Sequence, residues 1–346
     1  MSAAPELDHR TFGDALEDYL QDFERLVQEG IRSPETQRGH TRLLKLAADL
    51  PFTANGRKQT LRSVPVIDVS PAMVKGVLVA YARTTTRYGK PPAPNSIRNL
   101  RNVLGSLLGA EFDLIDGLDT PTGGINLRRI HGREKTAALR PARYLKEADW
   151  PVFLDSCNPT YRALIRVILH SGLRSAEARG LRVQDIVLNG PTPGIYVRGQ
   201  ADEKLLVWVP RVKKDASRRF IPLWEPEIVA FLRDHLRGVP DHPDTLVFGT
   251  ANNRVVSKSN IWRAVRKASG DGLPVLSVHD LRHSAAIRWI LSGVPLNAVS
   301  KALGHANVAI TAGIYLSAPL DEETLYGAFA NPKVMGVQIS DDDEEA

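Results

Sequence analysis

The residues of this 346-residue chain whose types and spacing could do chemistry lie in its second half. Gly172-Leu173-Arg174-Ser175-Ala176-Glu177 places an arginine where one helix ends at a glycine and the next begins at a serine cap. Glu177 follows one turn later, where its carboxylate can orient the guanidinium. In His279-Asp280-Leu281-Arg282-His283, His279 and Arg282 lie at i and i+3, so one helix face presents an imidazole and a guanidinium to the same point. A guanidinium is a planar fork of donors that matches two phosphate oxygens. An imidazole can donate to a third oxygen or move a proton near neutral pH. Leu303-Gly304-His305 reads as a helix closed by a glycine with a histidine directly after it, and Tyr315 follows ten residues later. His279 and His283 also have the i, i+4 spacing of a zinc-binding helix. Asp280 stands where that motif has glutamate, however, and Arg282 would repel the ion, so no metal ligands are assigned.

Two arginines, two histidines, a tyrosine and a lysine-bearing hairpin (Lys213, Lys214) describe one reaction. A phosphodiester is negatively charged and resists nucleophiles. Two guanidiniums would neutralise its oxygens in the pentavalent transition state, most effectively where water is scarce. A tyrosine hydroxyl can attack to give a covalent phosphotyrosine that preserves the bond energy, while a lysine protonates the leaving 5′ oxygen. Such chemistry needs no cofactor, metal or nucleotide, and the sequence has no GxxxxGK[ST] phosphate loop.

Elements must position these groups. From Thr11 to about Val27, Phe12, Ala15, Leu16, Tyr19, Leu20, Phe23 and Leu26 recur at helical spacing. Ser33-Pro34 and Ser70-Pro71 predict two more helix starts, and a fourth helix is expected over Ala93 to Leu108, with Arg98 and Arg101 opposite its apolar side. The stretch from Asp119 onwards is Pro- and Gly-punctuated and basic. Arg128, Arg129, Arg133, Lys135, Arg140, Arg143 and Lys146 are opposed only by Glu134, which suits a tether along a phosphate backbone. Helices are then expected at Trp150 to Ser156 and Tyr161 to His170. Three short β-rich runs follow, Gly194 to Arg198, Leu205 to Val209 and Arg219 to Leu223, and predict a three-stranded antiparallel sheet. Helices return at Ser259–Ala268, His279–Leu291, Leu296–Leu303 and Ile310–Leu316.

Charge agrees with a polyanionic partner. Lys and Arg number 45 against 39 Asp and Glu, a net +6, but five of the acids sit in the last six residues; without them 45 face 34, or +11. One cysteine, Cys157, excludes a disulfide-stapled scaffold. Neither a run of 18 apolar residues nor a signal-peptide start is present, so a cytoplasmic, nucleoid-associated protein is expected.

These motifs resemble the tyrosine recombinase (phage integrase) family of site-specific recombinases. The matching residues are Gly-Leu-Arg174-Ser-Ala-Glu177, the hairpin Lys213-Lys214-Asp-Ala-Ser-Arg-Arg219-Phe-Ile-Pro222-Leu, His279-Asp-Leu-Arg282-His283, Leu-Gly-His305 and Tyr315, in the family's order. The resemblance implies a mainly α fold with a small antiparallel β-sheet: an N-terminal helical core-binding (SAM-like) bundle and an α+β catalytic domain. The expected divisions are a lead over 1–10, the bundle over 11–118, a linker over 119–144, the catalytic domain over 145–335 and an acidic tail over 336–346. By resemblance, Arg174 and Arg282 clamp the scissile phosphate, His279 and His305 complete the cage, and Tyr315 forms a 3′-phosphotyrosine. Glu177 supports Arg174, and Lys214, or its neighbour Lys213, is the general acid. Arg98, Arg101, Arg128, Arg129, Arg133 and Lys135 are expected on DNA. The implied partners are duplex DNA with inverted half-sites, a homotetramer exchanging strands through a Holliday junction, and optional accessory factors. The bundle starting by residue 11 leaves no room for an arm-site domain, which points to a simple-site recombinase of a mobile element or a resolvase relative. Leu325, Tyr326 and Phe329 are expected in a short helix that docks either on a neighbouring subunit or on its own domain. Two rival readings are type IB topoisomerase-like strand relaxation and a catalytically inactive DNA-binding regulator; the complete residue set favours an active enzyme.

Overall fold

A computed structural model describes residues 10–86, 89–112, 120–127, 130, 143–210, 218–270, 272–319 and 322. The chain divides into two compact units, residues 1–138 and 139–346.

Local capping chemistry starts the helices of the first unit. Helix α1 (Phe12–Gln28) opens on a reciprocal box: Thr11 Oγ1 accepts from the Asp14 amide, and Asp14 Oδ2 accepts from the Thr11 amide at 2.9 Å. Helix α2 (Pro34–Asp49) and helix α3 (Pro71–Ala82) each carry a serine N-cap followed by proline, as their sequences predict. Helix α4 (Pro94–Phe112) runs one turn beyond the expected Leu108, because Leu108 and Phe112 stay buried in the same core. Between α2 and α3 a hairpin of β1 (Phe52–Ala54) and β2 (Arg57–Gln59) turns at Asn55-Gly56, both with positive φ. Phe12, Leu16, Leu44, Leu78, Leu100, Leu104 and Leu107 form the centre of this unit.

The second unit begins with α5 (Trp150–Ser156) and α6 (Pro159–Ser171), continues through short α7 (Ser175–Arg179) and enters a β region. The expected three-stranded sheet exists with one different member. Its strands are β3 (Ile186–Val187), β4 (Gly194–Val197) and β7 (Arg219–Pro222), antiparallel in that order, with Ile195 opposite both Ile186 and Ile221. The run Leu205 to Val209 is not one of its strands. Its end forms β6 (Trp208–Pro210), which pairs with β5 (Gly199–Ala201) in a separate hairpin. The reason is steric and local. Gly199 carries no Cβ, and the Trp208 indole occupies that space, 2.3 Å from where a Cβ would stand. Ala201 then packs with Leu246 and Val255 in a small cluster of its own.

Helices α8 (Pro226–Leu236), α9 (Lys258–Ala268), α10 (Val278–Leu291), α11 (Leu296–Leu303) and α12 (Val308–Leu316) complete the described part of this unit. Helix α8 is an addition to the sequence expectation, although Pro226 at its first position is the same start signal used elsewhere. Helix α10 packs on α6, α11 and α12, and α11 packs on β7. Ile165, Ile168, Leu169, Ile195, Ile221, Leu281, Trp289 and Leu303 belong to the shared core. Among the described residues no helix is long and apolar enough to cross a membrane.

Candidate active site

Three backbone turns bring the polar residues together. The first ends α6 at Gly172, whose φ of +61° is left-handed. A Cβ there would also sit 2.7 Å from the Leu303 side chain, so glycine is required by both conformation and space. Two residues on, the N-cap of α7 is Arg174 rather than Ser175, because Glu177 supplies the capping carboxylate to the Arg174 amide at 2.9 Å. The second turn starts α10: Ser277 and Asp280 cap each other reciprocally, so the aspartate of the His279-Asp280 pair is spent on the helix start. The third closes α11 at left-handed Gly304, with the His305 amide reaching back to the Ser300 carbonyl at 3.0 Å.

Both arginines are anchored on these turns. Arg282 is 2% exposed and donates to the carbonyls of Gly172 at 2.7 Å and Leu303 at 2.6 Å. Arg174 donates to Glu177 Oε1 and to the Gly304 carbonyl, each at 2.9 Å, and keeps about a third of its side chain (34%) open to solvent. A guanidinium fixed to a carbonyl on one edge is oriented before any substrate arrives. Glu177 is buried and also receives both terminal nitrogens of Arg219, at 3.1 and 2.8 Å. Behind the site, Glu225 at the start of α8 pairs with His170 of α6 and Arg288 of α10, joining the helices that carry the Gly172 carbonyl and Arg282.

The histidines feel this cationic surrounding. His305 is pushed down to about 4, first by burial and then by the charges of Arg282, Arg174, Arg219 and His279. His279, at the start of α10, is also lowered, by desolvation of its ring and then by Arg282 and, more weakly, Arg174, against the opposing effect of Asp280. Its ring meets that of His283 edge-on at 4.6 Å, and His283 is pushed down to about 4 by burial and by His279. His305 Nδ1 lies 2.8 Å from the hydroxyl of buried Thr311 on α12. Tyr315 stands four residues further along α12, on the same face as Thr311, and is partly buried.

Arg174, Glu177, His279, Arg282 and His305 therefore converge, and Tyr315 lies on a helix packed against α10 and α11. Arg98 and Arg101 are on α4 of the other unit, the first exposed and the second partly so. Lys213, Lys214, Arg128, Arg129, Arg133, Lys135, the expected docking helix at Leu325 to Phe329 and the acidic tail lie outside the described residues. Sequence reasoning assigned no role to Arg219 or Thr311. Arg219 stood within the quoted hairpin motif, and Thr311 was detectable only by its i, i+4 relation to Tyr315.

The chain is similar to known proteins in sequence and in fold. The family model described as phage integrase family matches residues 143–320. A putative prophage phiRv2 integrase of Mycobacterium tuberculosis is 30% identical over 304 residues, 85% of this chain and 71% of that protein. Tyrosine recombinase XerD of the same species is 25% identical over 224 residues, 62% of this chain and 65% of that protein. In fold, the chain is similar to the Tn1549 transposon integrase in complex with a circular intermediate DNA, with a TM-score of 0.68 at 16% identity over 93% of this chain and 99% of that one. The XerH site-specific recombinase bound to palindromic difH substrate gives 0.61 at 18% identity over 95% and 99% of the two chains. The matched family is that of the tyrosine recombinases, an enzyme class that cuts and rejoins DNA. This chain belongs to the phage integrase family.

Proposed function

We propose that this chain is an active site-specific recombinase that cuts and rejoins duplex DNA through a 3′-phosphotyrosine on Tyr315. The observation that carries this reading is the pre-anchoring of Arg174 and Arg282 on the carbonyls of Gly172, Leu303 and Gly304, with His305 attached to the same turn. Guanidiniums whose terminal nitrogens are already tied to protein oxygens keep their charge in one place, the arrangement a pentavalent phosphorane needs. The Tyr315 oxygen bonds to phosphorus as the P–O5′ bond breaks. Its proton passes to His279, which is neutral at pH 7 because its pKa is lowered. Lys214 protonates the departing 5′ oxygen, and attack by a 5′ hydroxyl reverses each step. Neutral His305 donates one N–H to a phosphate oxygen, and Thr311 on its Nδ1 holds the ring. Strand exchange in pairs would take inverted half-sites and four copies of the chain. The basic balance of the sequence and the DNA complexes of the similar structures support duplex DNA as the substrate.

The test uses a nicked suicide duplex carrying a site recovered by selection of bound DNA. Wild-type chain is expected to trap a covalent adduct. Tyr315→Phe is expected to bind the same duplex with similar affinity and form none; an adduct with that variant removes Tyr315 as nucleophile.

A further inference from the structure

We infer that Arg219 is a positioning residue of this site: it offsets the charge of Glu177 from behind, so that Arg174 presents its positive charge to the substrate phosphate. This deepens the reading above and rests on Arg174 being a phosphate clamp. The Glu177 side chain is 1% exposed, and its two oxygens receive Arg174 on one side and the Arg219 fork on the other. The two arginines are not equivalent. The Arg174 side chain is 34% exposed, while that of Arg219 is 6% exposed and donates its Nε to the Ala302 carbonyl at 2.5 Å. Arg219 is thus committed on all three nitrogens and faces inward; Arg174 faces the open side.

Electrostatics makes the pairing consequential. A carboxylate beside one guanidinium is close to a neutral dipole, whose field on a nearby anion falls off steeply. A second guanidinium on the same carboxylate leaves one net positive charge, and in a partly buried setting that difference is large. Arg219 also locks geometry. Its Cδ and Nε sit 3.0 and 3.1 Å from where a Cβ on Gly304 would stand, and its Nε holds the last turn of α11. One side chain therefore joins β7, the start of α7 and the turn that presents His305. Lysine could not reproduce this, since one ammonium does not span both carboxylate oxygens and reach Ala302 as well.

The experiment uses the full-length chain, the nicked duplex described above, and the variants Arg219→Gln and Glu177→Gln with Arg219→Gln. The single variant is expected to form adduct more than tenfold more slowly than wild type, with similar DNA affinity. The double variant, having lost anion and cation together, is expected to form adduct faster than the single, though more slowly than wild type because the Arg219 contact with Ala302 is lost in both. A single variant within tenfold of wild type, or a double variant no faster than the single, overturns the inference; should Arg219→Gln fail to fold, Arg219→Met takes its place in both backgrounds with the same outcomes. A second readout needs no activity. Titration of His305 followed by NMR is expected to move to higher pH in the single variant, because Arg219 is one of the cations acting on that ring. An unmoved midpoint in the single variant also overturns it. Failure of the phosphotyrosine reading itself appears differently, as no adduct with wild type or an adduct with Tyr315→Phe, and leaves the titration to judge Arg219.

Discussion

Two histidines, His283 and His305, are held neutral by their surroundings, each pushed down to about 4 with burial as the main cause. An unfolded histidine titrates near 6.5. Between those values the unfolded chain binds more protons than the folded one, so stability is complete above about pH 6.5 and is lost as pH falls toward 4. The urea midpoint is therefore expected to drop as pH is lowered from 7 to 4.5. His283→Gln should show a shallower fall across that window, whatever its stability at pH 7. An unchanged slope would mean that His283 is not neutral in the fold. On the proposed mechanism the same depression would suit catalysis, since a cage holding Arg174 and Arg282 would gain little from a third full charge and more from an N–H donor.

At the scale of elements, helix ends set the chemistry more than helix middles do. Gly172 combines a left-handed φ with a space closed by Leu303, and its carbonyl holds Arg282. Gly190, in the turn between β3 and β4, has φ +89° and open space around it. Alanine at Gly190 is expected to cost only the left-handed conformation, about 1–2 kcal/mol by denaturant titration, with adduct formation unaffected. Alanine at Gly172 should cost that amount plus about 1–3 kcal/mol for the forced shift of a packed side chain, and should slow adduct formation as well. Equal effects of the two substitutions would show that the Gly172 turn does not position Arg282. Element boundaries were legible where caps spoke for themselves, as at Ser33-Pro34, Ser70-Pro71 and Leu296–Leu303. The sheet was less legible. Leu205 to Val209 has the composition of a core strand, yet Leu206 takes a left-handed φ of +53° and only the end of the run pairs.

For the whole molecule, the charge division matters more than its sum. The acidic cluster Asp341 to Glu345 reduces a body of +11 to +6. Each phosphate neutralised by a basic residue releases counterions, so affinity for DNA falls linearly with salt on logarithmic axes. We propose that the tail competes with DNA for the basic surface. Deleting residues 341–346 is then expected to raise nonspecific affinity for duplex DNA at low salt and to steepen its salt dependence. If both are unchanged in fluorescence anisotropy titrations, the tail is only a solvated end.

The sequence by itself determined most of the helices and the caps at Ser33 and Ser70, and it singled out Arg174, Glu177, His279, Arg282 and His305 as candidates, because periodicity, proline starts and glycine stops act over a few neighbouring positions. It also determined the charge balance, which needs no fold. Tertiary structure alone decided what each cage residue leans on. Arg219 reaches Glu177 across 42 positions, Arg282 reaches Gly172 across 110, and Arg174 reaches Gly304 across 130. Such bonds have no local signature: a buried carboxylate accepts whichever donors packing brings to it, and packing is set by the core of α6, α10, α11 and β7 as a whole.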